Sequence, residues 1–304
     1  MKRVVSVSLG SSKRDKVAEM NLLGEVLEVR REGTDGDVGR AEARIRALDG
    51  EVDAIGLGGL DVYLYAGGQR YVVRDGMRLI EAATKTPVVD GSSIKATLER
   101  RVVEELVRQG VIDTNTRVLM VSAADRFGMA EALDSAGCPT VFGDMIFSMG
   151  IPYPITTLSE LAEIAHKLLP EMAKLPLAML YPQGKAQETE PDPKFKEYYE
   201  AADLIAGDWL LIRRYLAPDL SGKIILTNTT TKDDVEMLKA RGAWLLVTTT
   251  PVVDGRSFGT NMLEAAIVAL AGKGPGDLES LVWDEWLDRL ALGPNLTWIG
   301  EAKA

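Results

Sequence analysis

Histidine and cysteine are almost missing from this chain, whose 304 residues include one of each, His166 and Cys138. A single cysteine excludes an intramolecular disulfide and fits a reducing compartment, so we expect a cytoplasmic protein. One histidine and one cysteine cannot supply the ligands of a usual zinc site within one chain, and we predict no metal, although carboxylates alone leave a Mg²⁺ site open. Catalysis by a Ser-His-Asp or Cys-His arrangement would have to use His166. That residue lies in an amphipathic helical pattern, which favours a surface or packing role.

Positive charge and long apolar runs are also scarce. Lys and Arg total 35 against 45 Asp and Glu, which gives a formal net charge of −10. An acidic chain repels phosphate backbones, so we expect no nucleic-acid partner. No apolar run approaches the roughly 18–20 residues that span a bilayer, and the N-terminus has no signal-peptide core. We therefore expect a globular protein with a small-molecule substrate, no membrane partner and, as an open possibility, a homodimer.

The pattern of strands and helices predicts an α/β fold of two domains. The first, residues 1–113, is an α/β unit with a hairpin around Gly67-Gly68 and a long helix closed by Gly110. The second, residues 114–275, repeats β-α-β with near-continuous apolar strands, as in a Rossmann-like doubly wound parallel sheet. A surface loop or lid is predicted over 181–196. The tail, residues 276–304, carries a helix that packs back on one of the domains.

A nucleotide site is predicted where the first strand of the second domain ends. In Rossmann-type units a helix N-terminus binds phosphate there, and an acid after the next strand binds a ribose. The loop lacks Gly-x-Gly-x-x-Gly, and a plain βαβ scaffold is the alternative. Asp144 in the ribose position favours NAD over NADP. The candidate cofactor residues of this loop and the next strand are Ser122, Asp125, Arg126, Gly128 and Asp144.

Hydroxyl-rich loops follow two later strands, where ligands bind in open α/β sheets. The candidates for cofactor contacts there are Asn228, Thr229, Thr230, Thr249 and Thr250. Helix capping is the alternative role for such residues, and we expect Thr231 to cap the helix that follows. Arg256, Gly259 and Asn261 precede the last helix of the domain and form a candidate anion site for the substrate, with an ordinary cap as the alternative.

The first domain supplies the remaining candidates, in loops that follow strand ends. Those proposed to bind substrate are Ser11, Ser12, Gly58, Gly59 and Asp61. Lys95 and Asp90 form the best acid/base pair, because a lysine whose pKa is lowered by burial passes a proton to a carbonyl, oriented by the carboxylate. In the alternative interpretation Asp90 caps the helix and Lys95 lies on a solvated face.

Seven stretches of the chain carry a resemblance to a known family: 5–12, 33–37, 56–68, 86–92, 121–133, 226–231 and 256–261. They include Gly-Leu-Gly-Gly-Leu-Asp-Val-Tyr-Leu-Tyr-Ala-Gly-Gly at 56–68 and Arg-Ser-Phe-Gly-Thr-Asn at 256–261. On these motifs the chain resembles the bacterial family labelled quinate 5-dehydrogenase, related to the quinate/shikimate dehydrogenases. The resemblance implies a substrate domain followed by a Rossmann domain, a Lys/Asp proton-transfer pair and a nicotinamide cofactor.

Two functions follow from these observations. The first is an NAD(P)-dependent dehydrogenase that uses NAD or NADP on a small hydroxylated carboxylic acid such as quinate or shikimate, bound between the domains. The second is a non-redox Rossmann-like protein that binds a nucleotide or small anion, as a sensor or a transferase. The domain order and Asp144 favour the first, and the missing glycine motif favours the second.

Overall fold

The computed structural model describes residues 1–180, 191–250 and 259–300, with the backbone of the paired strands at 252–253 and 256–257. It contains two large sheets, and we call the first sheet with its helices the first lobe. Its strands are β1 (Lys2–Ser8), β2 (Lys16–Leu22), β3 (Glu25–Gly33), β4 (Ala54–Gly58), β5 (Tyr63–Ala66), β6 (Gln69–Val72) and β7 (Val88–Val89), and its helices are α1 (Val38–Leu48), α2 (Arg74–Ile80) and α3 (Ser92–Arg108).

The first sheet has the strand order β2-β3-β1-β4-β7. β1 lies at its centre, parallel to β3 on one side and to β4 on the other. Residues 4–8 of β1 are all buried, as expected for a strand covered on both faces. β2 is the antiparallel edge strand, and the turn Leu23-Gly24 that joins it to β3 has two positive φ angles, 56° and 83°. β5 and β6 form a separate hairpin that follows β4.

The second lobe is built on a six-stranded sheet with the order β15-β12-β11-β10-β8-β9. All its strands are parallel except the edge strand β15. The strands of this lobe are β8 (Val118–Met120), β9 (Thr140–Phe142), β10 (Leu204–Ala206), β11 (Ile224–Thr227), β12 (Leu245–Thr248) and β15 (Asn295–Trp298). Its helices are α4 (Phe127–Ser135), α5 (Leu158–Met172), α6 (Leu177–Leu180), α7 (Lys196–Ala201), α8 (Trp209–Arg214) and α9 (Lys232–Ala240), with a π-helix at Asp144–Ser148.

The short strands β13 (Val252–Val253) and β14 (Arg256–Ser257) pair with each other. Two later helices, α10 (Thr260–Ala271) and α11 (Trp283–Leu290), then return to the first lobe, where α10 packs against β1, β4 and α3. One apolar core lies between α10, α11 and one face of the first sheet. Within the described residues the chain therefore passes between the lobes three times: after α3, after β12 and after α11.

The predicted α/β class with largely parallel sheets is confirmed, and so are the β5–β6 hairpin and the Thr231 cap, which is part of a capping box. The predicted tail helix is present as α11. The predicted domain boundaries at residues 113 and 275 stay a prediction. In the structure, α10 packs on the first sheet. Residues 181–190 of the predicted lid lie outside the described residues. No helix in the described ranges is long and apolar enough to cross a membrane.

Candidate functional site

The carboxyl ends of the two sheets meet around Lys95, in the first turn of α3. Its ammonium lies 2.5 Å from Oδ2 of Asp61, in the loop after β4, and 3.9 Å from Oδ2 of Asp125, in the loop after β8. Only 8% of the Lys95 side chain is exposed. Burial alone would lower the pKa of Lys95, but the charges of Asp61 and Asp125 outweigh it and raise that pKa above its usual value. Lys95 is therefore a fixed cation shared by both lobes.

A second buried ion pair lies beside this triad. Glu99, one turn further along α3, accepts a hydrogen bond from Arg126 of the second lobe, and the two side chains are 0% and 3% exposed. Burial, only partly offset by Arg126, raises the pKa of Glu99. Oε2 of Glu99 and Nε of Arg126 are buried without a hydrogen-bond partner. Such orphaned atoms are unusual in native proteins, and here they stand in the contact between the lobes.

Three of these charged residues, Lys95, Asp125 and Arg126, border a small recess. Tyr63 and Tyr65 alternate with buried Leu64 and Ala66 along β5, so both aromatic side chains lie on the face that borders the recess. Its lining consists of Tyr63, Tyr65, Ser92, Lys95, Ala96, Asp125, Arg126 and Phe127. The recess has an interior of about 10 Å³, which is room for about one water molecule.

Asp90, predicted to pair with Lys95, has a different role. Its Oδ2 accepts hydrogen bonds from the backbone N–H of Val62 (2.6 Å) and Tyr63 (3.0 Å). Its Oδ1 accepts from the N–H (3.0 Å) and the hydroxyl (2.6 Å) of Ser92. Asp90 therefore binds Ser92, the first residue of α3, and holds the loop before β5, while Gly91 is the N-cap of the helix. The alternative interpretation placed Lys95 on a solvated face, whereas Lys95 is buried. The pKa of Lys95 is also raised, whereas the proposed proton transfer needed it lowered.

In the predicted nucleotide loop, the groups that could bind a phosphate already bind side chains of the protein itself. The carboxylate of Asp144 accepts hydrogen bonds from the N–H groups of Ala123 (3.0 Å) and Ala124 (2.9 Å). Burial raises the pKa of Asp144 to about 6, although these amides oppose that shift. A Cβ at Gly128 would lie 2.6 Å from the carbonyl oxygen of Ala96, so this glycine permits close packing of α3 and α4. The loop therefore presents neither the free amides nor the free arginine that a dinucleotide pyrophosphate needs.

Two other predicted cofactor residues lie at the crevice between β8 and β10. The hydroxyl of Ser122 accepts a hydrogen bond from the N–H of Asp208 (3.4 Å). The carboxylate of Asp208 accepts from Arg126 (3.4 Å) and from Nδ2 of Asn228 (3.2 Å), and it also caps α8. The crevice is thus filled by a network of side chains.

The hydroxyl-rich ends of β11 and β12 lie together, as predicted from their positions. Thr250 donates its hydroxyl to the carbonyl oxygen of Asn228 (3.2 Å). Thr249 is buried and its hydroxyl has no hydrogen-bond partner, while Thr230 is buried and Thr229 is partly buried. Asn228 connects this region to the recess through Asp208 and Arg126, and the cofactor role of these residues stays a prediction.

The predicted substrate-binding residues of the first lobe lie in different places. Asp61 is paired with Lys95 beside the recess. Ser11 caps the short 3₁₀ turn Ser12–Arg14, and the N–H of Ser12 donates to Asp35 (2.8 Å). Gly59 has a φ of 82° and forms the turn after β4. None of these last three lines the recess.

The candidates near α10 serve its docking on the first sheet. Nδ2 of Asn261 donates to the hydroxyl of Ser6 (2.7 Å), and a Cβ at Gly58 would lie 3.2 Å from that same amide nitrogen. Gly259 is the residue before α10 begins. The side chain of Arg256 lies outside the described residues.

The sequence reasoning missed Glu99, Tyr63 and Tyr65. Glu99 had a signal, because Lys95 and Glu99 are four residues apart on a helix stripe that also carries the buried Val102 and Leu106. Charges on an otherwise apolar stripe mark a buried ionic contact. The tyrosines had no signal beyond their strand pattern.

A further opening lies on the outer part of the first lobe. This groove, which we call the α1 groove, has a volume of about 520 Å³ and is lined by Asp15, Glu32, Gly33, Thr34, Arg40, Ala43, Arg44 and Ala47. Arg44 and Glu32 are already paired there through two hydrogen bonds, 2.6 and 2.9 Å long. Within the described ranges, no three His, Cys, Asp or Glu side chains are grouped so as to hold a metal ion.

Comparisons with known proteins bear on the family. A model described as "Domain of unknown function (DUF8754)" matches residues 93–299, and one described as "Domain of unknown function (DUF8753)" matches residues 3–90. No curated protein matches the chain. The predicted membership of the quinate 5-dehydrogenase family is therefore wrong.

Solved structures give only distant likenesses. A glutamate dehydrogenase from Thermus thermophilus is 13% identical, with 95% of this chain and 73% of that chain covered and a TM-score of 0.42. An arabinose-transporter periplasmic binding protein from Shewanella sp. ANA-3 is 11% identical, with 95% of each chain covered and a TM-score of 0.36. A galactofuranose-binding protein is 13% identical, with 96% and 99% covered and a TM-score of 0.38. TM-scores below 0.5 carry no argument about the function of this chain.

The predicted NAD(P)-dependent dehydrogenase is corrected on these grounds. The family models name no dehydrogenase, and Asp144 occupies the amides of the phosphate loop. No comparison bears on NAD or NADP as a ligand, which stays a prediction from the sequence alone.

Proposed function

The chain belongs to the DUF8754 family, whose name carries no activity, and we propose from its geometry that it is a non-redox protein that binds a small polar molecule between its two lobes. The binding site is the recess around Lys95. The doubly wound, Rossmann-like description of the second lobe belongs to this proposal, since its parallel strands follow the order β9-β8-β10-β11-β12 with apolar cores on both faces.

The observation that carries the proposal is the charged cluster between the lobes, with its two orphaned atoms. Buried ion pairs add little net stability compared with apolar residues of the same size, because desolvation offsets their attraction. Arg126 lines a recess walled by tyrosines, and Arg126 and the adjacent Glu99 each leave one buried polar atom without a hydrogen-bond partner. Convergent polar groups beside aromatic side chains are typical of small-molecule sites.

The recess must open before a ligand enters, because its volume of about 10 Å³ is room for only about one water molecule. The lobes are joined by three chain crossings and by contacts of the β5–β6 hairpin, whose Tyr71 hydroxyl lies 2.8 Å from Nδ1 of His166 on α5. Separation of the lobes, or movement of this hairpin, would uncover Tyr65 and Asp125 together. Hinge motions of this kind are common around ligands that bind between lobes.

A thermal-shift screen tests the proposal. Small amines, polyols, amino acids, carboxylates and dinucleotides are added singly to the wild-type protein and to Tyr65→Ala, with Arg40→Ala in the α1 groove as the matched control. A ligand that binds the native state raises the melting temperature. We expect at least one non-dinucleotide compound to raise it in the wild type and in Arg40→Ala but not in Tyr65→Ala. No response from any compound, or a response unchanged in Tyr65→Ala, would refute the site.

A further inference from the structure

The charge balance of the recess selects among small polar ligands, and this inference rests on the proposed function. Two cations, Lys95 and Arg126, face carboxylates from both lobes. These carboxylates are Asp61, Glu99, Asp125 and Asp208. The carboxylates outnumber the cations, and the pKa values of both Lys95 and Arg126 are raised, because the surrounding carboxylates outweigh the effect of burial. An anionic ligand would enter a site that already carries excess negative charge.

Asp125 is the carboxylate that remains open. Its nearest cationic atoms are Nζ of Lys95 and Nε of Arg126, each 3.9 Å away, which is beyond hydrogen-bonding distance. About a third of its side chain, 32%, is exposed, and it lines the recess. Asp61 and Glu99, by comparison, are each engaged by a close cation. Asp125 is thus placed to accept hydrogen bonds from a ligand.

The aromatic side of the recess fits the same ligand. Tyr63 and Tyr65 remain neutral phenols at physiological pH, since burial raises the pKa of each. The faces of neutral aromatic rings attract cations, as Arg70 already shows by lying 5.3 Å from the ring centre of Tyr63. Carboxylate and aromatic groups together are a common arrangement for binding ammonium groups.

We infer that the ligand of the recess is a small organic cation, whose protonated amine is bound by the Asp125 carboxylate beside Tyr65. The amine donates to the carboxylate oxygens, and a polar acceptor of the ligand meets the orphaned Nε of Arg126, which lines the recess. Lys95, held by Asp61, stays in place as the fixed cation that keeps Asp61 from competing for the amine.

Three probes with one carbon skeleton separate charge from shape. 3-Amino-1,2-propanediol, glycerol and glycerate share a three-carbon diol skeleton. The terminal carbon bears an ammonium in the first and a hydroxyl in the second, and in the third it is the carboxylate carbon. Each is titrated into ¹⁵N-labelled protein, and shifts of the amide signals of residues 61–65, 92–96 and 123–127 are followed. We expect the amine to bind at least about tenfold more tightly than glycerol, because one charge-assisted hydrogen bond is worth that factor or more. Glycerate should produce no shift.

The variant Asp125→Asn should reduce the affinity for the amine by about tenfold or more and leave that for glycerol unchanged. Asp75→Asn, at a position on α2 that is about as exposed as Asp125, is the matched control and should change neither. Binding of glycerol or glycerate as tight as that of the amine, or an Asp125→Asn variant with full affinity, would overturn the inference. So would silence from all three probes, whereas the proposed function itself fails if the wider thermal-shift screen is also silent or if its responses are unchanged in Tyr65→Ala.

Discussion

Asp90 and Glu99 lie two turns apart on or beside α3, both are buried acids, and they have opposite surroundings. Both oxygens of Asp90 are used, each by two donors, and all four bonds lie within the first lobe. One oxygen of Glu99 accepts a hydrogen bond from Arg126 of the second lobe, and the other oxygen has no hydrogen-bond partner. The difference separates a carboxylate that builds the fold from one that is left open where the lobes meet. Burial alone therefore does not identify a functional acid; the use of its lone pairs does.

The largest expected effect tests the cross-lobe pair. Arg126→Met leaves Glu99 buried without its cation, and we expect the free energy of unfolding to fall by about 3–5 kcal/mol. The double variant Arg126→Met/Glu99→Leu should recover most of this loss, since it removes both charges. Urea unfolding measures both values. Arg117→Met, which breaks an exposed pair with Asp203, is the control and should cost no more than about 1 kcal/mol. Equal losses in Arg126→Met and the double variant would contradict the account.

The next effect compares the two acids directly. Asp90→Asn replaces one acceptor oxygen with an amide NH₂ group that faces backbone donors. We therefore expect the free energy of unfolding to fall by about 3 kcal/mol. Glu99→Gln keeps an acceptor oxygen for Arg126 and replaces the orphaned oxygen with an amide NH₂ group. We expect this variant to lower the free energy of unfolding by about 1 kcal/mol. Both are measured by urea unfolding at pH 7. A larger loss for Glu99→Gln than for Asp90→Asn would reverse the assignment of structural and open roles.

A third test concerns the close packing that brings Glu99 to Arg126. Gly128→Ala places a Cβ 2.6 Å from the Ala96 carbonyl oxygen, which pushes α3 and α4 apart. We expect a loss of about 2 kcal/mol, typical of overpacking. Gly276→Ala, with nothing within 4 Å of the added carbon, is the control and should be near neutral. An unchanged melting temperature for Gly128→Ala would show that the lobes are not in close contact here.

The last effect, the smallest when counted over one pH unit, comes from a third buried acid, Glu264 of α10, whose pKa is raised to about 8 by burial and by the charge of Asp90. Because the folded pKa exceeds the unfolded one, its contribution to stability is complete below about pH 4.5 and is lost as pH rises through about 8. We expect the free energy of unfolding to fall by up to about 1 kcal/mol per pH unit in that window, and Glu264→Gln to remove this slope. Identical slopes in the two proteins would exclude Glu264 as the cause.

The sequence predicted what local patterns determine. Gly67-Gly68 marked the hairpin, Thr231 marked a helix start, and the spacing of Trp283, Trp286, Leu287 and Leu290 marked α11. β2 was missed because its Ala, Glu and Met residues have little strand preference, and its pairing with β3 and packing under α10 decide its conformation instead.

The site was predicted in part, for a physical reason. Lys95, Asp61, Asp125 and Arg126 were all candidates, but in three separate roles. Their meeting depends on the approach of two lobes, which no local pattern encodes. The pairing of Lys95 with Asp90 was wrong because the backbone amides of residues 62 and 63 already occupy that carboxylate. Likewise, Asp144 could be placed after its strand, but its capture by the amides of Ala123 and Ala124 could not be foreseen.

Hydrogen–deuterium exchange with the compound that most raises the melting temperature tests the central claim most directly, because it locates the bound molecule on the chain. The account predicts slower exchange in three separate peptides, covering residues 58–66, 91–98 and 122–129, with no change over 32–47 in the α1 groove. Protection of the α1 groove alone, or of only one lobe's share of the recess, would contradict a binding site built from both lobes.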